Sequence, residues 1–132
     1  MKVEQRAALA TFRTLVAPLR LRVTADTEGW PIARGRYGQV EWHAPDTVAI
    51  YSQTMRMLAR LAQIPGVRRH QIGDDEFRLL LRVGEAVDGV HDSADLRSVV
   101  QLLQLRRRRI QSERQKAALL HGRHLFKAKI AR

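Results

Sequence analysis

The sequence contains no cysteine among its 132 residues. This absence excludes a disulfide framework and any metal site that depends on thiolate ligands. No apolar run approaches the roughly 20 residues that a membrane-spanning helix needs. The first residues, MKVEQRAALATFR, carry charges of both signs and lack the apolar segment of a secretory signal. These features predict a cytoplasmic protein that does not enter a membrane.

Aromatic residues are also few, at 5% of the chain, but 45% of the residues are hydrophobic, which is enough for a buried core. A chain of this length buries roughly two-thirds of the surface that its unfolded state exposes. We therefore expect one globular domain over residues 1–105, followed by a basic extension over residues 106–132.

The motifs that usually mark an enzyme are missing as well. The chain has no glycine-rich phosphate loop and no nucleophile turn of the G-x-S-x-G type. Its GDDE stretch at 73–76 has the composition of a hairpin turn. His121 and His124 are close in sequence, but no neighbouring Cys, Asp or Glu completes a metal site. We therefore expect a protein without catalytic activity, cofactor or metal.

The spacing of apolar residues in the first part of the chain predicts a helix and a strand. Leu9, Phe12 and Val16 lie at helical intervals, and Pro18 predicts that this helix ends just before it. Alternation over residues 19–25 predicts a short strand. The following stretch, TEGWPIARG, contains glycine and proline and predicts a loop.

Two hairpins and two helices follow. Alternating apolar residues predict hairpins over residues 36–52 and 67–83. Between them, QTMRMLARLAQ has helical spacing. A last helix is predicted to begin after Asp92 or Ser93, either of which can cap it.

The predicted fold class is α+β. Its sheet would be antiparallel and built from the two hairpins and a candidate fifth strand, with the helices on one face and the other face open to solvent. Val67 and Ile72 in the second hairpin have opposite parity, so one of them leaves the apolar face unless a β-bulge intervenes.

Charge is distributed very unevenly along the chain. Residues 101–132 hold ten of the 24 Lys and Arg residues but only one of the 13 Asp and Glu residues, Glu113. This part therefore carries +9 of the formal net charge of +11. Such asymmetry indicates an anionic partner for this end of the chain.

The basic extension is the first candidate site. After residue 100 the sequence contains no proline, and its first glycine there is Gly122. We therefore expect the last helix to run from about 94 to 121, about 42 Å at 1.5 Å per residue. Four consecutive arginines surround a helix axis, which suits a helix that has left the core. The candidate phosphate contacts are Arg106, Arg107, Arg108, Arg109, Arg114, Lys116, Arg123, Lys127 and Lys129.

The solvent-facing side of the predicted sheet is the second candidate site. Tyrosine rings stack on bases and arginines hold phosphates, so a flat face with both can bind nucleic acid. The candidates are Arg34, Arg36, Tyr37, Tyr51, Arg78 and Arg82.

The sequence thus predicts a non-catalytic nucleic-acid-binding or accessory protein, with DNA and RNA both open. The alternative is a protein-interaction subunit whose basic helix docks into a larger protein or ribonucleoprotein assembly. An intermittent apolar stripe, Leu119, Phe126 and Ile130, favours this alternative because phosphates do not need apolar contacts. A basic tail that only solubilises the protein is the third interpretation.

Overall fold

A computed structural model describes residues 2–83 and 93–108 of the chain. These residues form a six-stranded antiparallel sheet and three α-helices, which confirms the α+β class. The elements in chain order are α1 (Val3–Val16), a 3₁₀ turn (Ala17–Leu19), β1 (Val23–Ala25), β2 (Pro31–Arg34), β3 (Gln39–Ala44), β4 (Thr47–Ser52), α2 (Arg56–Ala62), β5 (Val67–Ile72), β6 (Phe77–Arg82) and α3 (Ala94–Leu103).

The sheet has the strand order β1-β2-β3-β4-β6-β5. Both predicted hairpins are present, as β3–β4 and β5–β6, and they join through antiparallel pairing of β4 with β6. The register of β5 against β6 shifts between Arg69 and Gln71, so of the two alternatives for this hairpin the structure has the bulge. The GDDE stretch closes the turn of the second hairpin, where the Gly73 amide donates to the Glu76 carbonyl at 2.9 Å.

One face of the sheet carries the core. Strand residues such as Val40, Ile50 and Leu79 form one buried cluster with side chains of all three helices, including Phe12 of α1 and Leu103 of α3. Burial of side chains of this size contributes about 1.5–3 kcal/mol each. The helices therefore cover a single face, as the sequence predicts.

The other face, which we call the second face, is not uniformly solvated. Alternation along β2 and β4 places Ile32 and Ala49 on this face, and both are buried, with 1% and 0% exposure. The prediction that this whole face is open to solvent is therefore wrong for the middle of the sheet. Towards the β1–β2 end, Arg34 and Thr24 are exposed.

Strand β2 falls in the stretch that the sequence predicts to be a loop. The Asp26 carboxylate accepts hydrogen bonds from the amides of Glu28 and Trp30, and Gly29 has a φ of +93°, so the chain reverses tightly before β2 begins. Pro31 is the first residue of the strand, a position where proline is tolerated in sheets. The glycine and proline therefore mark a hairpin turn and a strand start.

Helix α3 begins as predicted and ends earlier than predicted. The Ser93 hydroxyl accepts from the Leu96 amide at 3.1 Å, which confirms the N-cap. The helix stops at Leu103 because Gln104 adopts the left-handed conformation, with φ 52° and ψ 56°. The prediction of a continuous helix through Arg106–Arg108 is therefore wrong. The expected continuation from 109 to 121 lies outside the described residues.

The reversal at Gln104 is stabilised by the next residue, Leu105. A left-handed residue other than glycine costs roughly 1–2 kcal/mol. Against this cost, the Leu105 side chain is buried, with 6% exposure, and the Leu105 amide donates to the Val100 carbonyl at 3.1 Å. Burying a leucine contributes about 1.5–3 kcal/mol, which outweighs the strain.

None of the three α-helices in the described part of the chain is long and apolar enough to cross a bilayer.

Candidate nucleic-acid interface

The chain after α3 inserts into the sheet. The Arg106 amide donates to the Arg34 carbonyl at 2.9 Å, and the Arg22 amide donates to the Arg106 carbonyl at 2.9 Å. The Arg108 amide donates to the Arg20 carbonyl at 2.8 Å. Residues Leu105–Arg108, which we call the inserted segment, therefore lie between the chain that enters β1 and the chain that leaves β2.

The inserted segment alternates like a strand. Leu105 and its neighbour Leu21 are buried in the core, with 6% and 3% exposure. Because successive side chains on extended backbone point to opposite faces, Arg22 and Arg106 project from the second face. Arg34 follows the buried Ala33 and projects from the same face.

Three arginines from distant parts of the sequence thus lie side by side. We call Arg22, Arg106 and Arg34 the arginine row. Their backbones are neighbours in the sheet, where adjacent strands lie about 4.8 Å apart. All three residues are exposed.

The charge of the arginine row is not balanced by the described part of the chain. No carboxylate in residues 2–83 or 93–108 forms an ion pair with any of the three guanidinium groups. Like charges on neighbouring strands repel one another, so the row favours a ligand of opposite charge.

The line of cross-strand neighbours that contains the arginine row continues across the second face, but there its positive charge is no longer unpaired. Register places Gln39, Tyr51 and Arg78 beyond Arg34. The Arg78 guanidinium lies 3.1 Å from the Glu41 carboxylate and 6.0 Å from the centre of the Tyr51 ring. The charge of Arg78 is therefore neutralised by the Glu41 carboxylate.

Tyr51 is also engaged by an acid. Its hydroxyl donates to Glu76 Oε2 at 2.5 Å. This hydrogen bond, with the nearby negative charge, raises the pKa of Tyr51 above its ordinary value of 10.0. Of the predicted sheet-face residues, Tyr51 and Arg78 therefore do share the second face, but each contacts a glutamate.

Arg82 is paired as well. Its Nε lies 3.0 Å from an oxygen of Asp46. The Thr47 hydroxyl, which donates to Asp46, and the Arg82 charge together lower the pKa of the Asp46 carboxyl. Arg82 is therefore less suited to phosphate than the arginine row is.

Arg36 and Tyr37 do not lie on the second face. They occupy the turn between β2 and β3, where the Tyr37 amide donates to the Leu103 carbonyl at 3.1 Å and the Arg36 amide donates to the Gln104 carbonyl at 3.2 Å. These bonds hold the turn against the end of α3, so the Tyr37 ring lies on the helix side of the sheet. The prediction that Tyr37 and Tyr51 share a face is wrong for this reason.

Sequence reasoning missed one residue of the arginine row, Arg22, and did not place the other two side by side. Arg22 belongs to the stretch LRLRV, whose alternation indicates the core-facing leucines and equally places arginines on the opposite side. Arg34 is among the predicted contacts, but nothing local shows that Arg106 lies beside it.

A separate cleft of about 430 Å³ is lined in part by Arg13, Arg20 and Arg108.

The remaining predicted contacts cannot be placed in this interface. Arg107 is exposed and pairs with Leu21 in an antiparallel bridge. The other predicted basic residues and the apolar stripe lie outside the described residues: Arg109, Arg114, Lys116, Arg123, Lys127, Lys129, Leu119, Phe126 and Ile130.

Comparison of the chain with protein-family models, with curated proteins and with solved structures found no match.

Proposed function

We propose that this protein is a non-catalytic nucleic-acid-binding or accessory protein of the cytoplasm, and that it contacts phosphates through the arginine row and the basic chain that follows it. The observation that carries the proposal is the junction of Arg22, Arg106 and Arg34 on one face, without an ion-pair partner among residues 2–83 and 93–108.

The chemistry of arginine supports a phosphate ligand. The guanidinium group is planar, stays charged at all physiological pH values and offers paired donors that fit two phosphate oxygens. A polyanion carries many such groups at regular intervals, and each neutralised phosphate releases condensed counterions. An array of arginines on neighbouring strands can engage successive phosphates of one chain.

The distribution of charge along the sequence independently supports a polyanionic partner. The inserted segment leads directly into the part of the chain that holds most of the net charge of +11. The arginine row therefore lies next to the point at which this basic part of the sequence begins, and both would act on one polyanion.

The test is an equilibrium titration of labelled single-stranded and duplex oligonucleotides at several salt concentrations. The row variant carries Arg22→Gln, Arg34→Gln and Arg106→Gln. A matched control carries Arg6→Gln, Arg68→Gln and Arg69→Gln, which removes the same charge from exposed positions outside the row.

We expect the row variant to bind at least tenfold more weakly than the control variant at moderate salt. Its plot of log affinity against log salt should be shallower than that of the wild type by about 2–3, because three phosphate contacts are lost. Equal affinities for the two variants would refute a specific role for the row.

A further inference from the structure

A second group of arginines lies on the helix side of the sheet. The guanidinium carbons of Arg36 and Arg56 each lie 5.2 Å from the centre of the Tyr37 ring, within range for a cation–π contact. Arg60 follows Arg56 by one helical turn, so both project from the same face of α2. Two positive charges, those of Arg36 and Arg56, therefore lie against one half-buried aromatic ring, and Arg60 lies one helical turn from Arg56.

These residues border a cleft between α2, the end of α3 and the β2–β3 turn. Its volume is about 320 Å³, at the lower end of the range of small-molecule sites. Its walls combine the three side chains Tyr37, Arg56 and Arg60 with apolar and amide groups: Met57, Leu102, Gln101 and Gln104. None of these lining residues is acidic.

Apart from the cation–π contacts of Arg36 and Arg56 with Tyr37, the charges of the three arginines have no partner among the described residues. None of their guanidinium groups forms an ion pair or a hydrogen bond with a described residue. Cations often cap the carbonyls at a helix C-terminus. At the end of α3, however, backbone amides take this role, since Tyr37 and Arg36 donate to the carbonyls of Leu103 and Gln104. Arg56 and Arg60, one helical turn apart, carry like charges that repel each other and destabilise the helix.

We propose that this cleft binds a nucleoside monophosphate through its terminal phosphate. Arg56 and Arg60 in a cleft lining without an acid, with Arg36 against the same tyrosine, favour a dianion. A terminal phosphate is a dianion and an internal phosphodiester is not. Tyr37 and the planar guanidinium groups offer stacking surfaces for a base, and the Gln101 and Gln104 amides can hydrogen-bond its edge.

Two kinds of ligand carry these groups: a free nucleotide and the 5′-phosphorylated end of an unpaired strand. Both present a phosphate dianion next to a nucleoside. The site is separate from the arginine row, and the proposal does not depend on nucleic-acid binding there.

The test is calorimetric titration of the full chain with adenosine 5′-monophosphate, adenosine and inorganic phosphate. We expect the monophosphate to bind at least tenfold more tightly than either fragment. The double variant Arg56→Gln and Arg60→Gln should lose at least tenfold in affinity. A control with the same loss of charge at exposed positions outside both proposed sites, Arg6→Gln and Arg68→Gln, should stay within twofold of the wild type.

The two kinds of ligand are distinguished with one oligonucleotide carrying either a 5′-phosphate or a 5′-hydroxyl. A preference of the wild type for the phosphorylated strand that disappears in Arg56→Gln and Arg60→Gln supports the strand end. Monophosphate binding without such a preference supports the free nucleotide.

Three outcomes would overturn the proposal. These are absence of monophosphate binding at millimolar concentration, equal loss of affinity in the cleft and control variants, and equal affinity for inorganic phosphate and the monophosphate. The arginine-row titration is independent of all three, so either proposal can fail alone.

Discussion

Gly35 and Leu105 pair in an antiparallel bridge, and their backbones lie so close that a β-carbon added to Gly35 would stand 2.8 Å from the Leu105 Cα. The same added atom would lie 2.6 Å from the Leu103 carbonyl oxygen. Every one of these neighbours is backbone, which cannot move aside as a flexible side chain can. The inserted segment can therefore reach its place in the sheet only because residue 35 is glycine.

The first prediction concerns this contact. Gly35→Ala should displace the inserted segment and lower the free energy of unfolding by about 1–3 kcal/mol, the usual cost of overpacking. It should also weaken oligonucleotide binding, because Arg106 leaves the arginine row. Urea denaturation followed by circular dichroism measures the first effect.

The control for this change is Gly73→Ala, in the turn between β5 and β6. A β-carbon there meets its nearest neighbour, the Glu76 carbonyl oxygen, at 3.3 Å, and we expect a smaller effect on stability. A Gly35→Ala protein that unfolds at the same urea concentration as the wild type would contradict this close packing of Gly35 against Leu105.

The second prediction separates the inserted segment from the chain that follows it. A protein ending at Arg108 should unfold at nearly the same urea concentration as the full chain. A protein ending at Gln104 should lose about 2–3 kcal/mol, because it lacks the buried Leu105 side chain. Equal stability of the two truncated proteins would show that the inserted segment contributes nothing to the fold.

The third prediction concerns salt. If about six phosphates are engaged, log affinity for duplex DNA should fall with a slope of about −5 against log salt. A flat salt response would count against a phosphate-binding function.

The chain ending at Arg108 then discriminates between the two candidate functions. A shallower slope and weaker binding support nucleic acid as the partner of the basic chain. Unchanged affinity, together with loss of co-purifying proteins, supports docking into a larger assembly instead.

The fourth prediction concerns the Tyr51–Glu76 hydrogen bond. Ionisation of Tyr51 would break this bond and place two negative charges together, so the bond contributes stability below pH 10 that is lost as pH rises through the raised pKa of Tyr51. Glu76→Gln should lower the pKa of Tyr51 towards 10.0. Tyrosinate absorbance in a Tyr37→Phe background measures it, and a pKa unchanged by Glu76→Gln would argue against the contact.

Local patterns were sufficient for most elements of the fold. The alternation of Val40 and Trp42 and of Phe77 and Leu79 predicts strands because one face is buried, and the helical spacing in α1 and α2 follows the same rule. The Ser93 cap has a local cause too, since its hydroxyl satisfies an amide of its own helix.

The end of α3 and the arginine row could not be predicted in the same way. Gln104 has no local tendency that ends a helix. It adopts the left-handed conformation because Leu105 finds a buried position beside Gly35, which is remote in sequence. The row likewise depends on the register among Arg22, Arg106 and Arg34, and no single stretch of sequence contains that register.

The place of the inserted segment also has a consequence for protein synthesis. Arg107 pairs with Leu21, so a nascent chain that has not yet emerged as far as Arg108 leaves the Arg22 amide and the carbonyls of Arg20 and Arg34 without these partners. Unpaired strand edges of this kind are prone to aggregate. This end of the sheet can therefore be completed only after residues 105–108 have been translated. A ribosome that pauses before them would leave an unpaired strand edge that is prone to aggregation.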